Sequence, residues 1–163
     1  MRDPISGSLR FETPPDYVSA LNALLPTATH LIRIYDWDLS DGGYETPERI
    51  EMLGDFCKLG GVRSVKILLA DGSYLKRHGG QMMRLLSTWG NVLQVRVRDS
   101  DPPPATDCFV LIDQKGLLKR YDKDNAKGLM NPDARGEVAE LGIRFDAEWG
   151  RSAGRVSART VGL

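Results

Sequence analysis

The stretch TDCFVLIDQKGLLKRYD, residues 106–122, decides how this chain is read. Phe109 to Ile112 is a short apolar run that reads as a strand, and it ends on a carboxylate, Asp113. QKG then has turn character, and LLKRYD reads as a further strand, so the pair is expected to form a hairpin. A stiff DPPP lead-in at 101–104 and the polar Thr106 and Asp107 come just before. Apolar strands that end on an Asp are where α/β proteins often place chemistry, because the loops beyond the strands' carboxyl ends converge on one crevice.

Working outward, the segments before this stretch alternate between helical and strand patterns. PPDYVSALNALLPTA places Tyr17, Leu21, Leu24 and Leu25 on one helical face and is stopped by Pro26. HLIRIYDWDL reads as a strand. A helix then opens at Thr46, with Pro47 at its first position, Glu48 in its first turn, and Ile50, Leu53, Phe56 and Cys57 as its inner stripe. Gly60 and Gly61 stop it. VRSVKILLAD is a strand, QMMRLLSTWG a helix, and NVLQVRVRDS alternates Leu93, Val95 and Val97 against Gln94, Arg96 and Arg98. After the hairpin, 123–133 reads as a loop. A last helix from near Asp133 buries Val138, Leu141, Phe145 and Trp149. The expected fold is α/β, a mixed and largely parallel sheet with helices on both faces. Residues 1–152 form one domain in this reading, and 153–163 a flexible tail.

The totals suit such a domain. At 163 residues the chain is long enough for one core and short for two. Its 41% hydrophobic and 27% charged residues are those of a folded soluble protein. A formal charge of zero gives no overall field toward nucleic acid or acidic membranes. The N-terminus lacks an apolar signal core and no run spans a bilayer, so a cytoplasmic protein without membrane contact is expected. Cys57 and Cys108 sit in apolar segments without metal-site spacing and are expected to be buried, reduced thiols.

Four sets of carboxylates fall at or just past strand ends: Asp36 with Asp38, Asp71, Asp99 and Asp113. Convergent carboxylates hold Mg²⁺, whereas single ones usually cap helices and make turns. Lys76, Arg77 and His78, beside Gly79 and Gly80, are candidates to grip an anion, as is Arg120. Arg96, Arg98, Lys119 and Arg120 would extend a basic stripe along the sheet, the basis of a less favoured nucleic-acid reading. His30 reads as structural, and Trp37 as a core residue.

YDWDLS, residues 35–40, resembles the first motif of the haloacid dehalogenase-like phosphatases. That resemblance implies Asp36 as nucleophile, Asp38 as general acid/base and Asp113 as a ligand of Mg²⁺. VKILLAD lacks the Thr or Ser ending of that family's usual second motif.

A longer resemblance runs from about residue 9 to 152. GGVRSVKILLAD, RLLSTW, VLQVRVRD and the 106–122 hairpin resemble one half of a phospholipase D-like domain. LSDGGYETPERIEML, FVLIDQKG and IRFDAEWGRS narrow it to an uncharacterised bacterial domain sometimes found behind an acetyltransferase domain. In that superfamily an HxKxxxxD motif supplies a His that becomes phosphorylated and a Lys that holds the phosphate. Carried over, the His position is Thr106, the Lys position Cys108 and the Asp position Asp113. The resemblance therefore implies a pseudoenzyme that needs no cofactor: a catalytically silent binding or assembly module, taking an anionic, phosphate-bearing ligand. Its partner would be a second copy in a homodimer, or an acetyltransferase domain. The alternative is a Mg²⁺-dependent phosphohydrolase.

Overall fold

The computed structural model describes residues 8–100, 102–152 and 154–156. Along the chain run β1 (Leu9–Phe11), α1 (Pro14–Leu24), β2 (Leu31–Asp36), α2 (Pro47–Lys58), β3 (Ser64–Leu69), α3 (Ser73–His78), α4 (Gly80–Thr88) and β4 (Leu93–Val97). There follow β5 (Cys108–Ile112), β6 (Gly116–Asp122), β7 (Asn125–Asn131), α5 (Arg135–Arg151) and β8 (Gly154–Val156). The strands form one sheet in the order β1-β7-β6-β5-β2-β3-β4-β8.

Local chemistry sets the helix starts. Thr13 caps α1 by accepting from the Asp16 amide, with Pro14 at the first helical position. Thr46 does the same for α2 through the Arg49 amide, as its sequence suggests. Helices cover both faces of the sheet, also as expected. Period-two alternation divides the strand side chains between them. Ile32, Ile34, Val65, Ile67, Leu93, Val95, Val110, Ile112 and Leu118 pack with α1, α2 and α4 in the larger core. Tyr35, Leu68, Phe109, Leu111 and Leu117 meet Val138, Phe145 and Trp149 of α5 in the smaller one.

The expectation of a largely parallel sheet is corrected. Only β2–β3 and β3–β4 are parallel. β1–β7, β7–β6, β6–β5, β5–β2 and β4–β8 are antiparallel. Helical crossovers return the chain to the same edge, which gives the parallel trio. Among its described residues the segment through 98–107 contains no helix, and it delivers β5 antiparallel to β2; hairpins then propagate that direction. β7 lies where a loop is expected. Of the segment read as a flexible tail, Gly154–Val156 pair with β4, and the remainder lies outside the described residues.

Beneath α5 the sheet is unusually rich in arginine. The Arg98 guanidinium lies 4.0 Å from the Tyr35 ring centroid and donates to the carbonyls of Asp36 and Ala105. Arg96 stacks 4.4 Å from Trp149 and donates to its carbonyl. Arg33 is buried and reaches Asp146 at 3.4 Å. Gly142 makes that approach possible, since a Cβ there would meet Arg33 Nη1 at 2.8 Å. The Tyr35 hydroxyl donates to Glu148, and Arg144 pairs with Asp107. The basic stripe expected from Arg96, Arg98, Lys119 and Arg120 is not an open face: Arg98 and Arg120 are buried, and Arg96, half-buried, braces the sheet against α5, while Lys119 is half-buried.

Candidate functional site

Where β2 ends and β5 begins, the register places Tyr35 opposite Phe109 and Cys108 opposite Arg120. Alternation then turns Asp36, Cys108 and Arg120 toward the same face, the one covered by α1. All three are buried, Asp36 and Arg120 at 4% and 3% exposure. Asp36 Oδ2 accepts from the Leu39 amide at 2.8 Å and pins the turn after β2, where Leu39 adopts a φ of 68°. Burial pushes the Asp36 carboxyl up from its ordinary range, against a counter-pull from the Leu39 amide and the Arg120 charge.

Arg120 is the fixed point of the site. Its Nε donates to Asn125 O at 3.2 Å, and its Nη2 donates to Lys123 O and to Asp41 Oδ2, the latter at 3.3 Å. Its guanidinium lies 4.8 Å from the Tyr17 ring centroid. A two-residue hairpin loop, Lys123 and Asp124, presents these carbonyls and charges beside it. Two cavities share this wall. The larger, about 530 Å³, is lined by Pro14, Pro15, Tyr17 and Val18 of α1, by Asp41 and Gly42, and by Arg120 and the β6–β7 turn. The smaller, about 160 Å³, runs past Asp36, Trp37, Asp38, Ser40 and Cys108.

Several expected site residues lie elsewhere. β5 runs antiparallel to β2, so Asp113 falls at the start of β2, roughly 16 Å from Asp36 by the rise of a strand. There its carboxylate accepts from the amides of Thr29, His30 and Leu31 and from the Thr29 hydroxyl. Desolvation raises its pKa, but those hydrogen bonds together outweigh it and hold the carboxyl below the ordinary value. Asp38 accepts from the Ser40 amide and hydroxyl. The phosphatase-like trio of Asp36, Asp38 and Asp113 is therefore not assembled. Lys76, Arg77 and His78 occupy the last turn of the short α3, exposed, and line neither cavity with Arg120. Asp71 accepts from the Ser73 amide and opens α3 as a turn residue.

Thr106, which the sequence resemblance assigns to the His position of the phospholipase D-like motif, is exposed, and its hydroxyl helps to hold the Asp122 carboxyl below the ordinary range. Cys108, which the same resemblance assigns to the Lys position, is 2% exposed. Burial, reinforced by the Asp36 charge, pushes its thiol far above the ordinary range, and burial alone pushes Cys57 up to about 11. Both thiols are free and buried, as their sequence context suggests. Neither is expected to react with a disulfide-exchange reagent at pH 8 in the native protein, and both to react once it is unfolded in guanidinium. Rapid native labelling of Cys108 would contradict this placement.

Trp37 is a wall residue, not a core one: it is half-buried, and Lys123 Nζ sits 4.7 Å from its ring centroid. Sequence reasoning missed Tyr17, Asp41, Lys123 and Asp124 as site residues. Lys123-Asp124 between two period-two runs was the available signal, a two-residue turn. Nothing local marks Asp41, which is brought in by the loop after β2.

Among the described residues no helix is long and apolar enough to cross a membrane. A family model described as a domain of unknown function, DUF7931, matches residues 13–161. No curated protein matches the sequence. Solved structures do match the fold. TrmBL2, an archaeal chromatin protein with a novel mode of DNA binding, is 14% identical, with a TM-score of 0.66 over 93% of this chain and 55% of that one. This chain thus spans about half the length of TrmBL2. Nuc from Salmonella typhimurium, a phospholipase D family member, is 14% identical, with a TM-score of 0.66 over 90% of this chain and 96% of its own. NucT from Helicobacter pylori is 12% identical, with a TM-score of 0.60 over 90% and 98%.

Proposed function

Because this chain belongs to the DUF7931 family and has a phospholipase D-like fold, we propose that it is a catalytically silent member of that fold, a binding module whose ligand sits against Arg120. The observation that carries the proposal is the position of the imidazoles. The chain has only His30 and His78. His30 lies beside Asp113 at the opposite end of β2, with Nδ1 3.2 Å from its carboxylate, and His78 ends α3. Neither lines the Arg120 cavities. A phosphohistidine route therefore has no nucleophile in the cleft. The groups beside Thr106 in the chain and across the hairpin, Asp107 and Asp122, are acidic, and Asp36 pins the Leu39 turn.

What remains is a shaped cavity of the size that holds small ligands, with an apolar wall and a few fixed polar groups. As an assembly module, its partner would be a second copy or an acetyltransferase domain, as the sequence resemblance implies. Nucleic acid is less favoured, because Arg98 and Arg120 of the expected basic stripe are buried and Arg96 is engaged with Trp149.

The test is hydrolysis of bis(p-nitrophenyl) phosphate and of single-stranded DNA, with Mg²⁺ and with chelator. No release above the protein-free rate is expected under either condition. Turnover that co-purifies with the chain would overturn the reading. If that turnover needed Mg²⁺ and vanished in Asp36→Asn, the phosphatase alternative would return.

A further inference from the structure

The wall shared by the two cavities carries a charge pattern that specifies a class of ligand. Of the Arg120 guanidinium, Nε serves Asn125 and Nη2 serves Asp41 and Lys123. Nη1 has no hydrogen-bond partner among the described residues, and it is not among the side-chain atoms sealed from solvent. The residue is otherwise buried and fixed by carbonyls and by the Tyr17 ring. Arg120 lines both cavities, so the two N–H groups of Nη1 are the donors this buried cation has left for an anionic group there.

The opposite sign is present at the same wall. The charged groups lining the larger cavity are two cations, Arg120 and Lys123, and two carboxylates, Asp41 and Asp124. Both carboxylates are largely exposed, Asp41 pairing with Arg120 through Oδ2 alone and Asp124 with Lys123 through both oxygens, so each stays within reach of a ligand's ammonium at the cavity rim. A phosphate dianion on Nη1 would lie beside both carboxylates, and a simple amine would face both cations. The rest of the lining is mostly apolar: Pro14, Pro15, Tyr17, Val18 and Ala126. The two prolines also remove the first amide donors of α1, so the helix start offers no rival anion site.

We infer, building on the binding-module reading, that the larger cavity takes a small zwitterion: an amino acid with an apolar or aromatic side chain. Its carboxylate bonds Arg120 Nη1, its ammonium meets Asp41 and Asp124, and its side chain lies on Tyr17 and the prolines.

An amide NMR titration of the full chain tests this with L-phenylalanine, hydrocinnamate (no ammonium), phenethylamine (no carboxylate) and inorganic phosphate. L-Phenylalanine is expected to give saturable shifts at Val18, Asp41, Gly42 and Ala126. Each of the other three is expected to bind at least about tenfold more weakly. Asp41→Asn alters an exposed side chain, and it should weaken L-phenylalanine about tenfold without weakening hydrocinnamate. Equal binding by the one-charge analogues, tightest binding by phosphate, or no saturable shift at millimolar concentrations would each overturn the inference. Phosphate seated at Arg120 without zwitterion preference would leave the binding-module reading standing, whereas phosphodiester turnover would remove that reading itself.

Discussion

Asp113→Ala is expected to lower stability by about 3 kcal/mol, or a melting temperature by about 10 °C for a chain of this size. One carboxylate accepts from three consecutive amides, Thr29, His30 and Leu31, and from the Thr29 hydroxyl. It thereby fixes the entry to β2, at the centre of the sheet. The alanine removes all four bonds, each to a charged acceptor, and places a residue without a local side-chain bond at a φ of 54°. Asp113→Asn keeps one oxygen acceptor and a residue type that tolerates this conformation, so about half the loss is expected. The pH dependence has a definite sign. The folded-state pKa lies below the unfolded one, so the stabilisation is complete above the unfolded value near ~3.9 and disappears as pH falls through the folded value. Thermal melts of wild type and Asp113→Ala should differ most at neutral pH and converge in acid, below about pH 4. A constant difference across that range would mean that the carboxylate's charge is not what holds the β2 entry.

The second large effect is expected at Gly128. It sits between β1 and β6, opposite Phe11 on one side and Arg120 on the other. An added Cβ would lie 1.9 Å from the Lys119 carbonyl oxygen and 2.6 Å from Phe11 Cζ. The nearest obstacle is backbone inside a sheet and has no rotamer to escape into. Gly128→Ala should therefore cost about 3 kcal/mol, at the upper end for overpacking, and push the β6–β7 hairpin outward. Because that hairpin carries Arg120, Lys123 and Asp124, any ligand binding at the cavity should be lost before the protein unfolds. Denaturant unfolding combined with amide exchange at β7 checks this. A stability change below about 1 kcal/mol with full β7 protection would show that the strands tolerate the methyl.

These two positions also show what the sequence made legible. The parallel trio and its helices follow from patterns that are local: Thr46 before Pro47, the alternation through Leu93 and Val95, and the apolar face of Met82, Leu85 and Leu86. β7 is obscured because NAKGLMN mixes a glycine, a lysine and half-exposed positions, a composition of low strand propensity. Gly128 is there for close backbone approach, which in sequence looks like loop composition.

The site was harder to read for a directional reason. A strand's sequence does not state which way it runs, and the reversal of β5 moves Asp113 to the far end of β2 from Asp36. The same reversal puts Cys108 against Asp36 and Arg120, a juxtaposition no spacing announces. Arg96 and Arg98 alternate as an exposed basic face would, yet α5 covers that face, and only the tertiary fold shows it.

The proposed function is binding at the Arg120 cleft without phosphodiester chemistry. Its most direct test is an intact-mass measurement on protein quenched in acid after incubation with a phosphodiester substrate, because one turnover per molecule suffices to register a covalent intermediate. The account predicts an unmodified mass at every time point. An adduct carrying the phosphate with its remaining ester group that forms and decays, at Thr106 or at any residue lining the cleft, would contradict it.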